Sequence, residues 1–143
     1  MLDDSFIFRI DEINYTKMSA AVGFIGLGIM GQGMAARLLS EGIAGTSEES
    51  PLIVWNRTGA KCEALKDQFP DKCIVIKQSP KEVVESCSVT YSILSTPEAS
   101  KAVFDAEDGV LAGVSDKTSI VDCATLAEAD MTRMNDAITS KGG

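Results

Sequence analysis

The amino-acid sequence predicts an α/β fold, a doubly wound parallel sheet. Short apolar runs rich in β-branched residues alternate with helical stretches. The runs are apolar on both faces, as strands buried in a parallel sheet require. Helix-start signals recur between them, so right-handed βα crossovers and helices on both faces are expected.

The first strand is expected at residues 21–25, and a helix opens after it, from about Ile29 to Leu39. Met30, Met34 and Leu38 recur in that helix at i, i+4 and i+8, a stripe expected to pack in the core. The polar stretch EGIAGTSEESP, residues 41–51, reads as a solvated surface insertion. Further strands are expected at residues 52–56, 73–76, 89–94 and 119–123. SPKE at 79–82, STPE at 95–98 and TLAE at 125–128 each place a Ser or Thr three residues before a Glu. That is the spacing of a capping box at a helix start. Residues 1–20 mix acids with aromatics and fit neither a secretory signal nor a mitochondrial presequence. They are expected to form a poorly ordered extension, with one domain over residues 21–143.

The 143 residues are one domain's length. A net charge of -8 leaves no electrostatic footprint for nucleic acid or an anionic membrane. No apolar run reaches the roughly 20 residues of a membrane span. These residues contain no histidine, which excludes an imidazole base or a histidine metal ligand among them. The cysteines Cys62, Cys73, Cys87 and Cys123 form no C-x-x-C pair and read as free structural thiols, with no metal site.

The stretch GFIGLGIMGQGMA, residues 23–35, carries G-x-G-x-x-G at Gly26, Gly28 and Gly31, between a strand and a helix. In that context the pattern is the Rossmann dinucleotide fingerprint. Gly26 permits the tight turn, Gly28 lets a pyrophosphate approach the backbone, and Gly31 lets the helix pack closely. The helix N-terminus then offers N–H groups and its positive dipole end to the phosphates. The second strand ends in VWNRT, residues 54–58, where an NAD site usually has an acid. Arg57 supplies a charged fork of donors suited to the 2′-phosphate of NADP, with Asn56 and Thr58 adding neutral hydrogen bonds. Charge-assisted bonds contribute roughly 1.5–3 kcal/mol each, a preference for NADPH of about ten- to hundredfold. The alternative for Arg57 is a surface ion pair. Lys61, Lys77 and Lys81 read as solvated surface charges.

GFIGLGIMGQGMAARLL, VWNRT, SPKEV, LSTPEA and VDCATL occur in that order. With them the chain resembles the β-hydroxyacid dehydrogenase family, whose cofactor domain is of the 6-phosphogluconate dehydrogenase NADP-binding type. Within it, VWNRTGAKCEAL, VFDAEDGVL and NDAITSKGG are most similar to the glyoxylate/succinic semialdehyde reductases. The resemblance implies NADPH-dependent reduction of a small aldehyde acid, glyoxylate or succinic semialdehyde, to the hydroxy acid. By matching position, Gly26, Leu27, Gly28, Ile29 and Met30 take the pyrophosphate. Asn56, Arg57 and Thr58 take the 2′-phosphate end, Leu94 and Ser95 lie along the cofactor, and Thr125 sits near the nicotinamide ribose. The family commonly has Ser-Thr where this chain reads Ala124-Thr125, so one hydroxyl is lost there.

Beyond the position of SKGG, residues 140–143, the family continues into a Pro-Val-Ser-Gly loop, a lysine general acid and an all-helical domain. The chain is therefore expected to be the N-terminal part of such a reductase. It is expected to bind NADPH without turnover on its own, with no catalytic residue among its 143. Self-association is expected of the full-length relative through its helical domain. The expected compartment is the cytosol, or an organelle if a longer N-terminus precedes Met1. Two alternatives stand beside this reading: a non-catalytic nucleotide-binding or interaction module, and an imine or other 3-hydroxyacid dehydrogenase of the same superfamily.

Overall fold

The computed structural model describes residues 21–143; the extension expected over residues 1–20 lies outside them. Five strands, β1 (Val22–Ile25), β2 (Leu52–Trp55), β3 (Ile74–Ile76), β4 (Val89–Ser92) and β5 (Ser119–Asp122), form one sheet in the order β3-β2-β1-β4-β5. Every neighbouring pair is parallel. Parallel pairing demands a crossover after each strand. The helices that supply it are α1 (Ile29–Ser40), α2 (Ala60–Gln68), α3 (Pro80–Ser86), α4 (Pro97–Asp105) and one-turn α5 (Val110–Gly113); α6 (Glu128–Ser140) follows β5.

Successive strand residues feed opposite cores, because side chains alternate across a sheet. Phe24, Leu52 and Val54 join Ala35 and Leu39 of α1 and Cys62 and Leu65 of α2. Ile25 and Ile53 join Val83 and Val84 of α3, Phe104 of α4, Val110 of α5 and Met134 of α6. Phe24 and Phe104 are fully buried, and each burial contributes roughly 1.5–3 kcal/mol. The sheet is thus covered on both faces, as a doubly wound fold requires. β5 departs from the expectation of strands apolar on both faces: Ser119 is exposed and Val121 is 40% exposed. It is an edge strand, and only Ile120 joins a core.

The stripe expected on α1 is displaced. The residues that α1 buries are Gly31, Ala35 and Leu39. Met34 and Leu38 only flank the core, and Met30 is 68% exposed. The cause is a backbone contact: a Cβ on Gly31 would collide with the Gly26 carbonyl oxygen. The helix turns Gly31 and Ala35 inward, and Met30 rotates outward. α1 closes in a Schellman turn, with the Ile43 N–H on the Leu38 carbonyl (3.0 Å) and the Gly42 N–H on that of Leu39 (3.3 Å). The loop that follows is more than a solvated insertion. Ala44 is fully buried in the core, and the Gly45 carbonyl accepts the Cys73 N–H at 3.0 Å, anchoring the approach to β3.

The capping-box spacings resolve in three ways. Ser79 caps α3, its hydroxyl accepting the Glu82 N–H, while the Glu82 carboxylate takes the N–H of Gln78 rather than of Ser79. For α4 the cap is Thr96, accepting the Ala99 N–H at 3.0 Å, and Ser95 is left outside. α6 begins at Glu128 after an uncapping Ala127, which leaves Thr125 off the helix.

Opposite effects are expected from alanine at two glycines of α1. Gly31→Ala should lower the unfolding free energy in urea by about 1–3 kcal/mol through the forced helix shift. Gly33→Ala, where an added Cβ meets nothing within 4 Å, should raise it by about 0.5–1 kcal/mol.

Candidate functional site

Strand order reverses between β1 and β4, and there a cleft opens at the carboxyl ends of the strands. In doubly wound sheets this switch point is where ligands bind. Gly26 closes β1: its N–H donates to the Trp55 carbonyl at 3.1 Å, and its φ of 98° lies in the region that favours glycine. A Cβ there would strike the Ile93 carbonyl oxygen. Leu27 follows with its side chain fully buried. Its N–H donates to Asn56 Oδ1 at 2.8 Å, and its carbonyl accepts from Gln32 Nε2 at 3.0 Å. Gly28, the N-cap of α1, is exposed, and a Cβ added to it would meet nothing within 4 Å. That open space lies directly before the helix N-terminus.

Among the described helices longer than one turn, the N-terminus of α1 differs in kind from the others. It has neither a side-chain cap nor an acid in its first turn. α3 and α4 carry hydroxyl caps and a first-turn Glu, and α2 and α6 carry first-turn acids. Those groups answer the positive end of the helix dipole internally. At α1 the first-turn N–H groups are left for something else, and Ile29, 94% exposed, and Met30 border them.

The cleft has two adjoining recesses that share Gly28, Ile93, Leu94 and Ser95. One, about 150 Å³, runs from Gly26 to Asn56, Arg57 and Thr58. The other, about 460 Å³, runs along Ile29 and Met30 to Cys123, Ala124 and Thr125. Every candidate residue from the sequence except the buried Leu27 lines one of them. Ser95 and Thr125, whose spacing suggests helix caps, line the cleft instead. Lys61, read from sequence as a solvated charge, is exposed but shares the first recess with Arg57. Its signal is the four-residue spacing from Arg57, legible once α2 is known to start at Ala60. Neither cation forms an ion pair among the described residues; the pairs there are Arg37–Glu41, Lys81–Glu85 and Arg133–Asp105. The Asn56 amide nitrogen donates to the Thr58 carbonyl at 3.0 Å, so its side chain is engaged within the protein. Trp55 donates its indole N–H to the Gln78 carbonyl at 3.2 Å and lines the recess beside Arg57.

The ends of β4 and β5 are tied by Ser92 Oγ, which donates to Asp122 Oδ1 at 2.6 Å. The second carboxylate oxygen, Oδ2, is buried without a hydrogen-bond partner among the described residues. All four cysteines are free. Burial pushes the Cys123 thiol above its ordinary range, and the Asp122 charge adds to the effect, so it is no activated nucleophile. Burial likewise raises Cys62, and pushes Cys87 from 9.0 to about 12 against the opposing charge of Lys77.

Three comparisons set this geometry among known proteins. A family model described as the NAD binding domain of 6-phosphogluconate dehydrogenase matches residues 21–143. The glyoxylate/succinic semialdehyde reductase 1 of Arabidopsis thaliana is 38% identical over 122 residues, which is 85% of this chain and 38% of that protein. The cytokine-like nuclear factor N-PAC of Homo sapiens is 34% identical over 128 residues, 90% of this chain and 21% of that protein. The solved structure of Psf3 in complex with NADP+ and 2-OPP superposes with a TM-score of 0.72 and 28% identity, over 85% of this chain and 39% of that one. The chain therefore spans about two-fifths or less of these relatives.

Two outcomes are expected from this local chemistry. Thr96→Ala should cost about 1 kcal/mol in urea unfolding through loss of the cap, with Ser95→Ala within about 0.5 kcal/mol of the parent. Folding favours the thiol form of Cys87, so that contribution is complete below pH 9 and is lost as pH rises toward about 12. The loss runs at about 1.4 kcal/mol per pH unit for one group. Urea midpoints should fall across that window, and less steeply in Cys87→Ala.

Proposed function

The chain belongs to the family of the 6-phosphogluconate dehydrogenase NAD-binding domain, and we propose from that premise that its cleft holds NADP(H) as the cofactor part of a reductase. The single observation that carries the choice of NADP is at the end of β2. Where a ribose-binding acid would stand, two cations without ion pairs among the described residues, Arg57 and Lys61, line one recess. A carboxylate there would repel a 2′-phosphate, and a guanidinium forms paired, charge-assisted bonds to one.

Each part of the cleft then has a task. The N–H groups of the first turn of α1 receive the pyrophosphate, which the open space over Gly28 admits. Arg57, Thr58 and Lys61 receive the 2′-phosphate. Leu94 and Ser95 border the middle, and Thr125 stands at the far recess with Ala124 and Cys123, where the nicotinamide ribose would lie. A reduced nicotinamide, when bound, supplies a hydride. The substrate of the whole protein is a small aldehyde acid such as glyoxylate or succinic semialdehyde, in keeping with the reductase relative. No residue of this chain is assigned to proton transfer, so the present residues bind and orient without turnover. The match to a nuclear factor favours a second reading, in which the domain holds the nucleotide as a module and no reduction follows.

Titration with NADPH and NADH, read by Trp55 fluorescence, tests the proposal. NADPH is expected to bind tighter by about ten- to hundredfold, and Arg57→Ala to abolish that preference while leaving NADH affinity unchanged. Gly28→Ala should weaken both dinucleotides by filling the pyrophosphate space, with the fold intact. Saturable binding of neither would overturn the assignment.

A further inference from the structure

We propose, resting on the reading of the cleft as a dinucleotide site, that Asn56 is a positioning residue that clamps the Leu27 peptide between Asn56 and Gln32 and so aims the phosphate-binding turn, and is not itself a phosphate ligand. Leu27 has no hydrogen-bonding group left for a ligand: its N–H is held by Asn56 Oδ1 at 2.8 Å and its carbonyl by Gln32 Nε2 at 3.0 Å. Its side chain is fully buried, so the residue between Gly26 and Gly28 is fixed at every polar and apolar group it owns.

The amide of Asn56 is the chemistry this position requires. Its oxygen faces a donor, the Leu27 N–H, and its nitrogen faces an acceptor, the Thr58 carbonyl, at 3.0 Å. Reversing the amide would set donor against donor and acceptor against acceptor, so the two partners define its orientation. A carboxylate could accept from Leu27 but would face the Thr58 carbonyl oxygen with a negative charge. The asparagine therefore joins two segments 29 residues apart in sequence, the glycine turn and the loop carrying Arg57 and Thr58. Through it the pyrophosphate end and the 2′-phosphate end of the cleft keep a fixed relation. Pyrophosphate is common to NADH and NADPH, and a residue acting on its seat affects both alike.

Amide hydrogen exchange and binding on the full chain test this together. Without cofactor, the Leu27 amide should be protected in the parent and lose protection in Asn56→Ala; Asn56→Asp, which keeps the acceptor, should restore it. In titrations, Asn56→Ala should weaken both dinucleotides, NADH by about five- to tenfold for one neutral bond and NADPH by at least as much, since the loop carrying Arg57 is released as well. A thermal melt on each variant confirms that binding is measured on folded protein. If Asn56→Ala does not fold, Gln32→Ala, at an exposed position, should weaken both dinucleotides in parallel. Loss of NADPH affinity alone would make Asn56 a phosphate ligand and overturn the proposal. So would a Leu27 amide that exchanges freely in the parent, or unchanged affinity for both dinucleotides. A parent chain that binds neither dinucleotide overturns the cofactor reading and this proposal with it; a parent that binds while Asn56→Ala is indifferent overturns this proposal alone.

Discussion

The structure depends on one close approach, where the start of α1 meets the end of β1 through backbone alone. A Cβ on Gly31 would enter the Gly26 carbonyl, and one on Gly26 would enter that of Ile93. Three chain segments, from β1, α1 and the end of β4, therefore pass within contact distance without side chains between them. That contact sets the rotation of α1, puts Ala35 and Leu39 into the core and turns Ile29 and Met30 outward. It also sets the direction of the first-turn N–H groups at the border of the cleft. Packing and binding geometry are here consequences of the same two hydrogen atoms.

An acidic chain can offer an anion site because charge acts locally. The net charge is -8, yet the cleft is bordered by a helix terminus without an acid and by Arg57 and Lys61. Elsewhere the same fold answers helix termini with its own groups: the Ser79 and Thr96 hydroxyls accept from peptide N–H groups, and the Glu82 carboxylate accepts from Gln78. Among the described helices longer than one turn, α1 alone has neither a side-chain cap nor a first-turn acid. The Ser92–Asp122 bond joins β4 to β5.

Parallel pairing and the position of the cleft were legible in the sequence, because β-branched runs and a G-x-G-x-x-G pattern are local signals with local causes. The errors have local causes too. A four-residue S-x-x-E spacing does not distinguish Ser95 from Thr96 as the cap, since the adjacent hydroxyl with proline at the first helical position serves as well. Periodicity in α1 identifies a stripe at i, i+4 and i+8 but not the offset that a glycine contact imposes, so Met30 emerges in solvent. Ala44 reaches the core because a Schellman turn folds the chain back, which the polar composition of its loop conceals. The partners of Asn56 lie too far along the chain to be read from a single sequence.

Arg57 and Lys61 are exposed, whereas the peptide N–H groups of α1 act at contact range from a helix packed on the sheet. Attraction exerted through water is screened over about 8 Å at physiological ionic strength and over about 3 Å at 1 M. Hydrogen bonds from backbone dipoles fade far less. The two ends of the cleft therefore respond differently to salt. On the proposed reading, the grip on a phosphate common to many nucleotides would persist, and discrimination by the two cations would narrow as ionic strength rises. Selectivity at this site is a property of the protein together with its electrolyte.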